Sequence, residues 1–499
     1  MADSAIAQLH ATALTARCHN AFFRQKQLKS LHDGLRQDSN TLKDALKADT
    51  RVSDVQATVE VAAALELVKE HHASIDPAKE LDSEYRVANG KDAGDQTKPW
   101  GVVYIEPQQN HTPLFSTISA LSAALAAGNC VALKLENNLR ALPTLLRTIL
   151  SQAIEADTFA IVSSTPSQES LAPCFQVLQE TAVQQPTHNQ LASPHTKVVA
   201  IVDRTADLAS AAENLVTARF NFGGTSPYAP DLIFVNEYVK KDFLEHVLKY
   251  VNSILAEYSD YDSLNSSPKS PPHQKASLTS SALQTLQAST SWRINIVTQG
   301  AAAAVVDLSN LSALPAKSTD PIFAVSSITS LEHAISVIDE ASTTGGEQLL
   351  AGYYFGTAAT GKYLSQFISA DLSVVNHIPY RLLLGPAAPA YHAIDIDARY
   401  TVSQFSRAAP AYIAPSALHT QLDTLLHDIP KARNPLLAKA LASATEEIKE
   451  KKRAEWIAIG YFEQGILIGL GVYGVPLLAC IGTGLFFGVR AGLRRFAVI

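Results

Sequence analysis

The fold of this 499-residue chain is decided by two neighbouring stretches, Trp100-Gly-Val-Val-Tyr-Ile-Glu-Pro107 and Ala123-Ala-Leu-Ala-Ala-Gly-Asn-Cys-Val-Ala-Leu-Lys134. They predict a buried strand over Gly101–Ile105, a helix over Pro113–Ala127 with proline in its first turn, and a second strand over Cys130–Leu135. A strand, a crossover helix and a second strand form the unit from which parallel sheets are built. Because the same alternation continues to residue 375, the sequence predicts an α/β protein whose parallel sheets are covered by helices.

Composition and charge argue against two kinds of partner. The net charge is −7 and the body of the chain carries no basic cluster, which argues against nucleic acid. The histidines show no spacing typical of a metal site, so we expect no metal. The four cysteines are scattered, which excludes a cysteine zinc site and indicates a reducing compartment; they are Cys18, Cys130, Cys174 and Cys480.

The C-terminal region predicts a membrane anchor. Residues 465–489 are 25 residues without a charge, which is long enough to cross a hydrocarbon core of about 30 Å. A buried core helix is the alternative, but such helices are shorter and rarely as rich in glycine. Only ten residues follow, which favours a tail anchor with the body in the cytosol. Basic residues on both flanks leave the endoplasmic reticulum, the mitochondrial outer membrane and the peroxisome open.

A second informative stretch, Phe220–Asp231, reads Phe-Asn-Phe-Gly-Gly-Thr-Ser-Pro-Tyr-Ala-Pro-Asp. It lies between an apolar helix over Leu208–Phe220 and a strand over Leu232–Val235. A glycine pair that ends a helix, followed by small polar residues and a strand, is a typical way to present a side chain on a tight turn. The stretch resembles the nucleophile loop of aldehyde dehydrogenases, Gly-Gln-Thr-Cys-x-Ala-Pro, with Gly224 and the Ala-Pro-Asp at 229–231 matching.

Further blocks carry the same resemblance. Residues 99–135 look like the first strand–helix–strand unit of aldehyde dehydrogenases, residues 320–335 form another matching block, and the likeness covers roughly residues 15–415. It is closest to the class 3 branch, which includes fatty aldehyde dehydrogenases with a hydrophobic C-terminal anchor. The resemblance implies two Rossmann-like parallel α/β domains and an oligomerisation hairpin. The expected boundaries are 1–203 for a cofactor-binding-like domain, 204–385 for a catalytic-like domain, 386–415 for the hairpin, 416–464 for a helical linker and 465–489 for the transmembrane anchor.

The chemistry implied by the resemblance needs a cysteine thiolate, an oxyanion hole, a general-base glutamate and a nicotinamide cofactor. The position of the thiolate is held by Pro227, which has neither a thiol nor the backbone N–H that the family uses in the oxyanion hole. Ser226 lies one residue earlier, and the sequence around it supplies no base. The oxyanion-hole asparagine corresponds to His111, with Asn110 beside it, and the general-base glutamate corresponds to Ser193.

The cofactor positions are altered as well. Lys134 matches the lysine that the family uses on the adenosine ribose, although Leu-Glu-Asn replaces the Pro-Ser-Glu that should follow. The Phe-Thr-Gly-Ser loop expected after residues 176–179 is missing. The Glu-Ile-Phe-Gly-Pro motif, whose glutamate holds the nicotinamide ribose, has become Lys-Ser-Thr-Asp-Pro at 317–321. The resemblance therefore makes NAD(P) a possible cofactor, and we expect its binding to be weak or lost.

The sequence leaves three functions open. The first is a membrane-anchored pseudoenzyme kept for binding or assembly, because scaffold positions match while catalytic positions do not. The second is an active oxidoreductase that oxidises a hydrophobic, fatty aldehyde to the acid with NAD(P)+ through unorthodox residues. The third is ligand binding or hydrolysis in the old pocket, using Ser226 and His111. Family members are dimers or tetramers, so we expect a homo-oligomer or a hetero-oligomer with an aldehyde dehydrogenase relative.

Overall fold

The structure is a computed structural model that describes residues 2–50, 52–265, 277–300, 303–345, 348–427, 430–451 and 461–496. Its contacts divide the chain into two compact units, residues 1–414 and 415–499, and each unit is described by itself. The strands of the described residues all belong to the first unit, which also holds the candidate site.

The N-terminal part of the first unit is helical. Its helices are α1 (Ala2–Ala13), α2 (Ala21–Gln37), α3 (Ser39–Thr50), α4 (Asp54–Ala73) and α5 (Pro77–Tyr85). The side chain of Asn20 accepts the N–H of Phe23 and thereby fixes the start of α2. Leu28, Leu31 and Leu35 then recur at helical spacing and are buried on the face of α2 that packs against α4 and a later helix.

The first sheet is parallel and contains the strand–helix–strand unit predicted from residues 100–134. Its elements are β2 (Val102–Glu106), α6 (Pro113–Ala126), β3 (Cys130–Lys134), α7 (Ala141–Ala153), β4 (Phe159–Val162), α8 (Gln168–Leu171), β5 (Phe175–Leu178) and β6 (Gln190–Ala192). The five strands lie in the order β4-β3-β2-β5-β6. Every residue of α6 is buried, since this helix lies between the sheet and the helices α2 and α4. The predicted unit is therefore confirmed.

The second sheet has seven strands in the order β13-β12-β7-β8-β11-β10-β9. All neighbouring pairs are parallel except β9 and β10, which are antiparallel. The elements are β7 (Val198–Val202), α9 (Leu208–Phe220), β8 (Leu232–Asn236), α10 (Lys240–Asn265), α11 (Ser277–Ala288), β9 (Arg293–Gln299), β10 (Ala304–Ser309), β11 (Ile322–Ile328), α12 (Leu331–Gly345), β12 (Leu349–Phe355), α13 (Ala358–Phe367) and β13 (Ala370–Val375).

Two features differ from the expected domain plan. The strand β7 precedes the expected boundary at 203/204, yet it pairs with β8 and β12 of the second sheet. In the range 386–415, where we expected a hairpin, the described residues form the short strand β14 (Ser406–Ala408). Its antiparallel partner is β1 (Thr97–Pro99), so the two strands of this ribbon come from distant parts of the chain. A pairing of this kind leaves no turn signal in the sequence of either strand.

The second unit is helical. It contains α14 (Ala417–His427), α15 (Pro430–Ala444), α16 (Tyr461–Gly469) and α17 (Val475–Phe496), and a short π-helical segment, Leu470–Gly474, joins the last two. Residues 452–460 of the expected linker lie outside the described residues. The continuous helical run Glu463–Arg495 is long and apolar enough to cross a membrane, and its apolar window is not buried in the protein. The predicted C-terminal helix is thus confirmed as a candidate span.

Candidate active site

The loop after α9 has a backbone that depends on glycine. The helix ends at Phe220, and a turn over Asn221–Gly224 follows in which Phe222, Gly223 and Gly224 have φ of 53°, 69° and 76°. A Cβ on Gly224 would lie 3.0 Å from the carbonyl oxygen of Arg219 and 3.1 Å from the Cα of Pro321. Glycine adopts this left-handed conformation without strain and leaves room for the close approach.

This turn delivers a buried Ser226 and Pro227 to the start of the path into β8. The Ser226 hydroxyl oxygen accepts the backbone N–H of Tyr228 at 3.3 Å. Among the described residues, Ser226 has no recorded hydrogen bond from its hydroxyl to a histidine or a carboxylate, which a serine nucleophile requires for activation. Pro227 has no N–H, and its carbonyl oxygen accepts a hydrogen bond from the Nζ of Lys317 at 2.6 Å. Position 227 of the loop therefore offers no N–H, and among the described residues no base contacts the Ser226 hydroxyl.

Behind the loop lies a buried cluster of charges. The Nζ of Lys317 is 3.0 Å from Oδ2 of Asp231, and the guanidinium of Arg219 is 3.9 Å from Oδ1. The Asp231 carboxylate also accepts the backbone N–H groups of Val198 at 2.8 Å and of Ser318 at 3.0 Å. Burial lowers the pKa of Lys317 and, against the attraction of Asp231, also that of Arg219. The cluster joins the start of β7 to the loop and to the segment before β11.

Lys317 itself was not among the site residues that the sequence predicted. It stands where the family motif has the glutamate that holds the nicotinamide ribose, so the charge at this position is reversed. A signal for its role was present in the sequence: Lys317 lies in one of the segments that resemble a family motif, and a carboxylate, Asp231, ends another such segment. Its ammonium now donates to Pro227 and pairs with Asp231.

His111 is buried and uses both ring nitrogens. Its Nε2 lies 2.7 Å from the carbonyl oxygen of Leu383, and its Nδ1 lies 2.9 Å from the hydroxyl of Thr225. Burial lowers the pKa of His111 to about 4, so the ring is neutral near pH 7. Because a carbonyl oxygen only accepts, the single N–H is on Nε2 and is spent on Leu383. His111 therefore lies next to the loop but has no N–H left for an oxyanion.

Ser193 and Asn110, the two remaining positions considered for catalysis, are also engaged in hydrogen bonds. Ser193 is buried, and its hydroxyl donates to the carbonyl oxygen of Ala387 at 2.8 Å. An aliphatic hydroxyl in this role cannot replace a carboxylate as a general base. Asn110, the neighbour of His111, accepts a hydrogen bond from Arg140 at 3.3 Å. The structure thus brings His111 and Ser193 against the same segment, residues 383–387, while Asn110 faces a different crevice.

That crevice, of about 180 Å³, lies at the carboxyl ends of β2 and β3, where α/β sheets commonly bind ligands. Lys134 lines it and is paired with Glu106 at 3.3 Å. Glu136 and Glu180 add two more carboxylates to its wall. Residues 179–189 connect β5 to β6 without a helix, so this crossover offers no helix N-terminus to a phosphate group.

The chain matches a model of the family described as "Aldehyde dehydrogenase family" over residues 1–303. It is 29% identical over 178 residues to aldehyde dehydrogenase family 3 member B1 of Rattus norvegicus, which is 33% of this chain and 36% of that protein. It is 30% identical over 164 residues to the Homo sapiens protein of the same name, which is 30% of this chain and 33% of that one. The chain thus spans about a third of the length of these curated relatives.

Solved structures show the same fold. The Staphylococcus aureus AldH in its substrate-bound state superposes with a TM-score of 0.66 at 18% identity, over 88% of this chain and 99% of that one. The glyceraldehyde-3-phosphate dehydrogenase GapN from Methanocaldococcus jannaschii, complexed with NADP, superposes with a TM-score of 0.58 at 13% identity, over 82% of this chain and 93% of that one. At such identities the likeness establishes the fold alone.

Proposed function

The chain belongs to the aldehyde dehydrogenase family, and on that premise we propose that it is a membrane-anchored pseudoenzyme, which keeps the family fold for a binding or assembly role. The observation that carries the proposal is the environment of Pro227. The residue at the nucleophile position has no thiol and no N–H, and its carbonyl oxygen is held by Lys317. Position 227 therefore offers an oxyanion no N–H, and the backbone there is bonded through its carbonyl oxygen.

The remaining catalytic positions support the same conclusion. The only N–H of neutral His111 is bonded to Leu383, and Ser193 is bonded to Ala387. Loss of one oxyanion donor alone costs about 10²–10³ in rate. In this chain the residues at the positions of the two oxyanion donors, of the thiolate and of the general base all differ from those of the family. The alternatives that use Ser226, an unorthodox oxidoreductase or a hydrolase, lack a base within its recorded hydrogen bonds.

Family membership makes NAD(P) a possible cofactor, and we propose that its binding is weak or lost. A dinucleotide pyrophosphate commonly lies at a helix N-terminus that follows a strand of the sheet. The crossover after β5 has no such helix, and the crevice beside it is lined by Glu106, Glu136 and Glu180. Lys134 is already neutralised by Glu106. The residues present therefore fit a dinucleotide poorly.

The anchor and the assembly complete the proposal. The helix Glu463–Arg495 is the candidate span, and residues 465–489 within it would hold the protein at a membrane with the body in the cytosol. We propose that the body forms a homo-oligomer or a hetero-oligomer with an aldehyde dehydrogenase relative. Alkaline carbonate extraction of membranes tests the anchor, because removal of residues 463–495 is expected to release the protein. Co-purification from detergent with itself alone would contradict a mixed oligomer.

The test of lost chemistry uses the full-length protein in detergent micelles. NAD+ and NADP+ at millimolar concentration are expected to leave the melting temperature unchanged, and decanal is expected not to be oxidised. A cofactor-dependent rise of the melting temperature that Lys134→Ala removes would show an intact cofactor crevice and contradict the proposal. Turnover of decanal that Ser226→Ala abolishes would establish the oxidoreductase alternative instead.

A further inference from the structure

A cavity of about 370 Å³ lies beside the buried charge cluster, within the size range of small-molecule sites. One wall is formed by the apolar side chains of Leu286, Trp292, Ile322 and Ala324. The polar side contains Asp231 and Lys317 together with Thr285, Ser289, Ser318, Thr319 and Asp320. The ring of Trp292 is held in place, because its Nε1 donates to the carbonyl oxygen of Leu286 at 3.0 Å. An apolar cavity with a few converging polar groups is the usual form of a ligand site.

Among the described residues that line this cavity, Lys317 is the one with a primary amine. Its side chain is 16% exposed, and its Nζ contacts the Asp231 carboxylate at 3.0 Å. A second cation, the fully buried Arg219, lies in the same cluster and opposes the charge on Lys317. A lysine that is removed from water and placed beside another cation has more of its amine in the neutral, nucleophilic form.

We propose that Lys317 captures apolar aldehydes in this cavity as a Schiff base. The ammonium first gives a proton to the neighbouring Asp231 carboxylate, and the free electron pair on Nζ attacks the aldehyde carbon. The C–N bond forms as the carbonyl π bond breaks, and the oxygen takes a proton to give a carbinolamine. Loss of that oxygen as water, with a second proton, leaves a protonated imine. An ammonium and an aldehyde are thus converted to an iminium and one water, with no change in net charge and no oxidant.

The surroundings favour this product and define the class of aldehyde. Since the iminium keeps one N–H and its positive charge, Asp231 can remain its partner after the reaction. The hydrogen bonds from Nζ to the carbonyl oxygens of Pro227 and Ala229 are lost. The capture is reversible because water hydrolyses the iminium back to the ammonium and the aldehyde. The apolar wall formed by Leu286, Trp292 and Ile322 favours an alkyl chain and disfavours an aldehyde that carries a charge. Decanal is therefore expected to react in preference to glyoxylate.

The chain offers a matched control in Lys240. Its side chain is also 16% exposed and is also paired with a carboxylate, Asp307, at 2.6 Å. Lys240 does not line the cavity that Lys317 lines. Lys29, with a 72% exposed side chain, reports the background reactivity of a solvent amine. The three lysines separate the effect of the cavity from the effects of burial and pairing.

Reductive trapping tests the proposal on the full-length protein. Limiting decanal with cyanoborohydride at neutral pH, followed by peptide mass spectrometry, is expected to give several-fold more N-decyl adduct at Lys317 than at Lys240, since Lys317 lines the cavity and burial lowers the pKa of its amine. Excess glyoxylate should not compete. Lys317→Arg should lose the adduct and keep the ion pair with Asp231.

Equal amounts of N-decyl adduct at Lys317 and Lys240 would overturn the proposal. A loss of the Lys317 adduct in the presence of excess glyoxylate would overturn it as well. This comparison is made within one wild-type sample, so it holds even where Lys317→Arg fails to fold. The Schiff base requires no nicotinamide cofactor. Absence of the adduct would therefore remove the Lys317 site and leave the proposed loss of dehydrogenase chemistry untouched.

Discussion

The buried carboxyl group of Glu60 should make the protein less stable as pH rises, and Glu60→Gln should remove this dependence on pH. Glu60 lies on α4 and is fully buried, and its Oε1 accepts the N–H groups of Leu114 at 2.9 Å and Phe115 at 3.2 Å in the first turn of α6. Burial raises the pKa of Glu60 from 4.5 to about 8, although these two hydrogen bonds oppose the change. The folded protein therefore holds a proton at neutral pH that the unfolded chain has released.

The sign and the size follow from this difference in bound protons. A carboxyl group with a raised pKa in the folded state contributes stability below its unfolded pKa and loses it as pH rises toward 8. The loss is about 1.4 kcal/mol per pH unit, or roughly 3 kcal/mol between pH 5.5 and 7.5. With an unfolding entropy of about 2.1 cal/mol/K per residue, the 414 residues of the first unit convert this to about 3 °C in melting temperature.

The assay is a thermal melt of the full-length wild type and of Glu60→Gln in detergent at several pH values. Glutamine keeps an oxygen for the N–H groups of Leu114 and Phe115 and cannot ionise, so the melting temperature of the variant minus that of the wild type should rise by about 3 °C over this range. A cost of burying the amide that does not depend on pH changes this difference in melting temperature by the same amount at every pH, and leaves its dependence on pH unchanged. Glu70→Gln, an exposed position on the same helix, is the control and should give a flat difference. A flat difference for Glu60→Gln would refute the assignment of a protonated carboxyl at Glu60.

Three other outcomes are expected. Pro227→Cys should leave oxidation of decanal, followed as NADH absorbance, at background, because the variant regains a thiol and an N–H but no general base; activity above that of the wild type would contradict this. Gly224→Ala should lower the melting temperature more than Gly223→Ala, since both have positive φ but only Gly224 lacks room for a Cβ; equal losses would contradict the steric part. Asp231→Asn should destabilise by about 3–5 kcal/mol in chemical denaturation because it leaves buried cations unpaired, whereas Asp307→Asn, at a carboxylate with a 22% exposed side chain, should cost much less.

The periodicity of apolar residues and the positions of glycines predicted the secondary structure and one turn of this protein. The strand and helix periods around Trp100–Lys134 gave the parallel sheet, and the glycines at 223 and 224 gave the turn that ends α9. Contacts between distant segments were not predictable, because the hydrogen bond from His111 to Leu383 and the one from Lys317 to Pro227 leave no pattern near any of these residues. The sequence alone showed which residues occupy the catalytic positions. Their hydrogen-bond partners could be identified only from the structure.

The contacts that fix the backbone of the loop around Pro227 do not depend on the residues at the catalytic positions. The turn depends on Gly224, and its anchorage to the sheet depends on Asp231, which binds the backbone of Val198 and Ser318. None of these contacts involves a catalytic group. A buried Asp231 needs cationic partners, and Lys317 supplies one while its Nζ also satisfies the carbonyl oxygen of Pro227. A lysine at 317 thus stabilises the same backbone path that carries proline at 227, so the two residues fit each other as parts of one structural solution.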